Sequence, residues 1–193
     1  MKRLTRKFFL RPTLEVARDL LGKYLVRKSG GEVLIGEINE VEAYIGQDDP
    51  ACHAAVGKTR RNEVMFRPAG HSYVYFTYGM YHCLNIVTEK ADFPAAVLIR
   101  SIIPVKGLET MMDKRRRARK SKTAKTVLSA ANVANGPGKL CVALNLDLAQ
   151  NGLDITSSDE LYLTDSGKII DDFRKSPRIG ISQGRDLLWR FHY

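Results

Sequence analysis

Residues 95–103 (Ala-Ala-Val-Leu-Ile-Arg-Ser-Ile-Ile) read as one continuous apolar strand carrying a single charge, Arg100. A charge on such a strand is costly to bury unless it is paired. The natural partner is Glu42, near the end of a second strand read over residues 33–44. Around these two, residues 23–28, 73–77 and 81–87 have strand composition. Gly30-Gly31 turns the first hairpin, and Tyr78-Gly79-Met80 forms the tip of another, with Gly79 supplying the unusual backbone angles. Residues 161–163 and 178–181 read as late strands, and 46–62 as irregular chain. Helices are expected after Thr13 (read as an N-cap, with Gly22 as the stop), over 106–117, and after Asn135-Gly136-Pro137. Strands dominate the middle and helices flank them. The class is therefore α+β, a curved and mostly antiparallel sheet. With 193 residues, no internal repeat and no long linker, one domain over 1–193 is expected.

The charge is localised. Of a net +10, residues 1–11 contribute +5 and residues 113–125 contribute +7, which leaves −2 for the rest. Each basic segment fits contact with a phosphate backbone, and fits equally well a solvated charge run. No stretch approaches the roughly 18 consecutive apolar residues of a membrane span. The N-terminus also lacks the roughly 7–15 apolar residues of a secretory signal. A cytoplasmic protein with access to the chromosome, no membrane association and a monomeric state is expected. Cys52, Cys83 and Cys141 have no close pair spacing and read as reduced thiols. His53 beside Cys52 and His82 beside Cys83 would point to opposite faces of a strand, so no metal and no cofactor is expected. Gly136-Pro137-Gly138-Lys139 misses the phosphate-loop pattern, because Val133 and Leu140 stand where Gly and Ser or Thr are required.

Glu40 and Glu42 share one face of their strand by the two-residue period. Their common strand argues against a pair of glycosidase carboxylates attacking one bond from opposite sides. Taken alone, Glu42 with Arg100 is better explained by a structural salt bridge. The aromatic cluster changes the balance. Tyr44, Tyr73, Tyr75, Tyr78 and Tyr81 crowd within 38 residues, with His53 and His71 nearby. Tyr73 and Tyr75 share a face that Tyr44 approaches across the sheet. Aromatic walls beside a carboxylate suit a flat, electron-poor base. Tyr78, at a hairpin tip, suits a wedge between base steps better than a core position. Two other readings fit the composition: a non-catalytic nucleic-acid-binding protein, and a metal-dependent nuclease using Asp48, Asp49 and His53.

Taken together, these residues resemble the 3-methyladenine (alkyladenine) DNA glycosylases of the mammalian AAG type, over nearly the whole chain. The matching pieces are Glu40-Val41-Glu42-Ala43-Tyr44 with His53, then Thr59-Arg60-Arg61-Asn62 and Met65-Phe66. Tyr73-Val74-Tyr75, Tyr78-Gly79-Met80-Tyr81, Asn85 and Leu98-Ile99-Arg100 follow. Gly136 to Leu140 and Pro177-Arg178-Ile179-Gly180 complete the set. The resemblance implies a single mixed domain with a protruding, DNA-inserting hairpin and no metal. It implies Glu42 as the general base that activates water and Arg100 as the residue that helps hold that water. It implies Tyr44, His53 and Tyr75 as walls stacking on a flipped base. Asn85 would disfavour the 2-amino group of guanine, and Tyr78 would intercalate. The partner would be double-stranded DNA containing damaged purines. The reaction would hydrolyse the N-glycosidic bond of 3-methyladenine, hypoxanthine or ethenoadenine and leave an abasic site.

Overall fold

The computed structural model describes residues 1–118 and 127–193. The apolar run of 95–103 lies within a longer, interior strand. In chain order the elements are α1 (Arg6–Phe9), α2 (Thr13–Leu20), β1 (Tyr24–Ser29), β2 (Glu32–Ile45), β3 (Ser72–Thr77) and β4 (Tyr81–Val87). They continue with β5 (Ala95–Lys106), α3 (Leu108–Arg117), α4 (Pro137–Leu144), β6 (Leu161–Thr164), β7 (Arg174–Ser176) and β8 (Arg190–His192). Short 3-10 turns at His53–Val56, Glu63–Phe66 and Leu148–Gln150 punctuate the loops.

The strands form one curved antiparallel sheet in the order β3-β4-β5-β2-β1-β6. The 14-residue β2 is its spine. One edge of β2 pairs with β5. The other pairs first with β1 over Glu32–Glu37, then with β8 over Glu40–Glu42. Strand β7 adds to β8. The β2–β5 ladder is irregular near the residues of interest. Ile38 pairs with Ile102, Glu40 with Ser101 and Val41 with Ile99, so Asn39 and then Arg100 are extra residues on opposite strands. Bulges of this kind re-aim a side chain, and here the re-aimed side chain is the charge in the apolar run.

The two-residue strand period assigns the faces. On one, Val41, Ala43, Val74, Leu84, Ile86, Val97 and Ile99 join Val16, Leu20, Leu140 and Leu144 of α2 and α4 in the main core. On the other, Tyr73, Val87 and Ala96 pack with Cys52, Ala54, Val64 and Met65 of the intervening loops, with Tyr44 and Tyr75 against them. The second cluster is too small to be a core in its own right, and it floors the site described below.

Several local expectations are corrected. Thr13 is the first residue of α2, with Pro12 at the N-cap. Its hydroxyl is drawn to Thr88 and Glu89 rather than to the helix backbone. Residues 178–181 are not a strand: Gly180 takes a positive φ of 78° and the chain there is a loop. The late strands are β7 and β8 instead. Helix α1 was not foreseen, because four residues carry no periodic signal. Among the described residues, no helix is long and apolar enough to cross a membrane.

Candidate active site

Glu42 and Tyr44 point from β2 to the site face, and Arg100 reaches the same place from the bulge in β5. The Glu42 carboxylate has no solvent exposure. It accepts the Tyr44 hydroxyl at 2.8 Å on Oε2 and the Ile179 backbone N–H at 2.7 Å on Oε1. Arg100 Nη1 lies 3.2 Å from Oε2. Arg100 is shared: its Nε donates to Glu40 Oε1 at 2.9 Å, and Arg190 Nε donates to the same oxygen at 2.6 Å. Burial opposes the charge on Arg100, but Glu42 and Glu40 more than offset it, so its pKa is raised further. Glu40 is the mirror case. Burial favours its neutral form, yet the hydrogen bonds and charges of Arg190 and Arg100 hold it below its ordinary pKa. The expected Glu42–Arg100 partnership is therefore present, as one edge of a larger cluster.

In front of this cluster opens a cavity of about 460 Å³, within the size range of small-ligand sites. Its lining includes Tyr44, His53, Tyr73, Tyr75, Asn85 and Arg100, so the expected wall residues are brought together. The ring of His53 meets Tyr75 edge-on at a centroid distance of 4.5 Å, and Tyr75 leans on Tyr73 at 5.4 Å. His53 Nδ1 hydrogen-bonds the Tyr73 hydroxyl at 2.8 Å. Burial, and then the nearby Arg61 charge, push the His53 pKa below its ordinary value, so the ring is neutral at neutral pH. Burial likewise raises Tyr73 to about 12 and raises Tyr44 and Tyr75 further, so all three walls stay uncharged. Asn85 donates to the Tyr73 carbonyl at 3.1 Å, which fixes its amide at the cavity wall. Glu42 itself lies behind the lining, screened by Tyr44 and Arg100.

The rim is the β3–β4 hairpin. Tyr78 is 77% exposed and holds a positive φ of 51°, beside Gly79 at 65°. A left-handed conformation costs a non-glycine residue roughly 1–2 kcal/mol. The two successive positive angles are those of a tight hairpin turn, closed by the Met80 N–H bond to the Thr77 carbonyl at 3.2 Å. Phe76, Met80 and Tyr81 are exposed around it. Tyr81 lies against Gly138 at the start of α4, where any β-carbon would meet its ring at 2.8 Å. This close approach explains a glycine after Pro137, itself a cavity residue.

Sequence reasoning named Asn62, Asp49 and Arg178 but missed that they support the site. Asn62 is buried and ties the wall loop together. Its amide donates to the His53 and Gly57 carbonyls at 2.8 Å, and its Oδ1 accepts from Thr59 N–H at 2.6 Å. Arg178 and Asp49 form a fully buried, two-pronged ion pair at 2.6 and 2.8 Å. That pair consumes Asp49, which removes it from the ligand set of the nuclease reading. The loop Ile179–Ser182 closes one side of the cavity. Gly180 inside the supposed strand 178–181 was the available warning, since a glycine there signals irregular backbone.

The basic segments divide. In the N-terminal one, Arg3, Arg6 and Arg11 are engaged with Asp159, Asp154 and Asp19. Leu4 N–H bonds the Leu163 carbonyl of β6, at the sheet edge opposite the hairpin. These arginines serve internal contacts rather than a free phosphate-binding arm. Of the second segment, residues 114–118 end or follow α3, and 119–126 lie outside the described residues.

The model of the methylpurine-DNA glycosylase family matches residues 7–193 of the chain. A protein of Methanocella arvoryzae is 50% identical over 192 residues, covering 98% of this chain and 91% of its own length. One of Carboxydothermus hydrogenoformans is 48% identical over 190 residues, covering 98% and 94%. One of Sodalis glossinidius is 50% identical over 188 residues, covering 97% and 95%. Each of the three bears the name "Putative 3-methyladenine DNA glycosylase".

Proposed function

The chain belongs to the methylpurine-DNA glycosylase family, and on that premise we propose which residues carry the reaction and how. It is an enzyme of DNA repair that hydrolyses N-glycosyl bonds. Its substrates are alkylated and deaminated purines of duplex DNA (3-methyladenine, hypoxanthine and ethenoadenine), each flipped into the cavity beside Tyr44. The observation that carries this reading is the union of a cavity with uncharged aromatic walls and a buried carboxylate held directly behind them. A flat base stacks between Tyr44 on one side and His53 with Tyr75 on the other. Tyr78 enters the duplex where the base has left.

Glu42 takes a proton from water, and the water oxygen bonds to the sugar C1′. The C1′–N bond breaks, and its electron pair leaves with the base; neutral hypoxanthine and ethenoadenine leave as anions that take up a proton from solvent. A base alkylated on a ring nitrogen carries a positive charge that this pair neutralises, which makes it a far better leaving group than a normal purine. The sugar passes through an oxocarbenium-like state that an anionic Glu42 also stabilises. Arg100 orients the carboxylate and the water. Damaged bases flip more readily because they are less well paired. Asn85 at the wall discriminates against the 2-amino group of guanine, and the protein acts as a monomer, a single domain without a metal. The test is release of free base from a panel of duplexes, each with one lesion. Release of the three lesions above with normal purines spared supports the assignment. Affinity for the duplexes without release would leave only a binding protein.

A further inference from the structure

We infer that Arg178, paired with Asp49, is a positioning residue for the reaction: it seats the Ile179–Ser182 loop and the Tyr44 ring so that Glu42 is held in its working geometry. The inference rests on the reading of Glu42 as the base.

Both side chains of the pair have no solvent exposure. A buried ion pair often contributes little to stability compared with an apolar pair of similar size. Its presence beside a reacting carboxylate therefore invites a role other than stability. Three segments meet at it. Arg178 Nη1 donates to the Ala43 carbonyl at 2.9 Å, between Glu42 and Tyr44 on β2. Asp49 accepts the Ile45 and Ala51 backbone N–H groups at 3.2 and 3.1 Å, and so fixes the loop that leads to the wall residue His53. Arg178 is followed directly by Ile179, whose N–H is bonded to Glu42.

The guanidinium also lies 4.7 Å from the centroid of the Tyr44 ring and 5.1 Å from that of Trp189. It is absent from the cavity lining, which Tyr44 joins, so it backs the aromatic wall without touching a bound base. Only a planar fork can meet a carboxylate with two prongs, reach a carbonyl and stack on rings at once. Lysine would keep the charge and lose that geometry.

The Ile179 N–H holds Glu42 Oε1 in place. Loosening Arg178 withdraws that donor. The carboxylate then loses its fixed orientation, so the chemical step slows while DNA binding is kept.

The experiment measures methylpurine release from methylated duplex DNA under single-turnover conditions. It compares the wild type, Arg178→Lys, the double variant Arg178→Gln with Asp49→Asn, and Glu42→Gln. The double variant removes both charges at once, so neither buried group is left as an unpaired ion, and thermal melting confirms that each variant is folded. We expect Arg178→Lys and the double variant to lose on the order of 10²-fold in rate, the scale set by small misplacements of reacting groups. We expect DNA affinity to change by less than about threefold, the KM-against-kcat split of a transition-state effect. A support of structure alone would lower the active fraction and leave the rate constant of the folded enzyme in place. A wild-type rate in folded Arg178→Lys and in the double variant would overturn the inference, provided Glu42→Gln is inactive. Release by Glu42→Gln would instead overturn the reading beneath it.

Discussion

Glu42 and Tyr44 stand two residues apart on one face of β2, and the Tyr44 hydroxyl donates to Glu42 Oε2 at 2.8 Å. The aromatic wall and the carboxylate behind it are therefore one hydrogen-bonded unit. Burial first, and then the Glu42 charge, keep the phenol protonated and donating. This arrangement separates the two functions of Tyr44. Tyr44→Phe keeps the stacking ring and frees one acceptor position, so base release should stay within about tenfold of wild type. Glu42→Gln should keep DNA binding and lose release by roughly 10²–10⁴-fold, the usual range for a general base. Single-turnover release with parallel binding measurements checks both. Full activity in Glu42→Gln would sink the assignment.

Tyr78 gives a prediction in which stability and function part company. Tyr78→Ala should reduce flipping, read as the fluorescence of a base analogue in the duplex. The salt dependence of binding should barely change, because no phosphate contact is removed. Tyr78→Gly relieves a positive φ of 51° at some cost in unfolded-chain entropy. Stability should then change by less than about 1 kcal/mol by thermal melting. A large loss of stability would show that Tyr78 is a packing residue.

The burial that depresses His53 has a consequence with a definite sign. The native ring binds its proton only below the ordinary value of 6.5. Between those two points the unfolded chain holds a proton that the native protein does not. The contribution of His53 to stability is thus complete above about pH 6.5 and declines as pH falls toward the lowered value. Nuclear magnetic resonance of the ring proton should give a midpoint under 6.5. A midpoint at or above it would refute the neutral wall.

The N-terminal arginines should affect folding more than DNA binding. Arg6 donates to the Ala69 carbonyl and to Asp154 across the fold. Arg6→Ala should cost about 0.5–1.5 kcal/mol of stability, the net range for a hydrogen bond of a partly exposed pair. The slope of log affinity against log salt should shift by less than one phosphate contact. A slope reduced by a full contact would return this segment to the DNA interface.

The last expectation concerns the product. Enzymes that also nick the strand attack the sugar with an amine and form a Schiff base. No lysine lines the cavity among the described residues, and Glu42 can activate only water. Free base and an unbroken strand should appear, with scission only after alkali or heat. Borohydride added during turnover should trap no protein–DNA adduct. A trapped adduct would point to an amine mechanism.

Much of this was legible from residue order. The strands over 73–77 and 81–87, the hairpin between them and the pairing of Glu42 with Arg100 follow from period, composition and the cost of burying a lone charge. The wall residues came from aromatic clustering, sharpened by the family resemblance. Arg178 and Asp49 were both singled out, one in a family-like motif and one as a candidate metal ligand, but their pairing was not legible, because 129 positions separate them. The fate of Arg3, Arg6 and Arg11 was hidden for the same reason. Their acidic partners lie up to 156 residues away, except for Asp19. Local pattern reports which face a residue takes, whereas a partner across the chain is fixed only when the sheet closes.

The two extra residues in the β2–β5 ladder, Asn39 on one strand and Arg100 on the other, cancel. Remove both, and Ile38 with Ile102, Glu40 with Ser101 and Val41 with Ile99 become successive rungs of an uninterrupted ladder. The arginine is thus an interpolation that the surrounding β-structure absorbs locally, without a change of phase in either direction. A chain lacking both residues would retain the ladder while surrendering the cation, so that the sheet and its buried charge are separable by two coordinated deletions. Deleting either residue alone would instead slip every rung beyond it and turn core side chains toward the cavity.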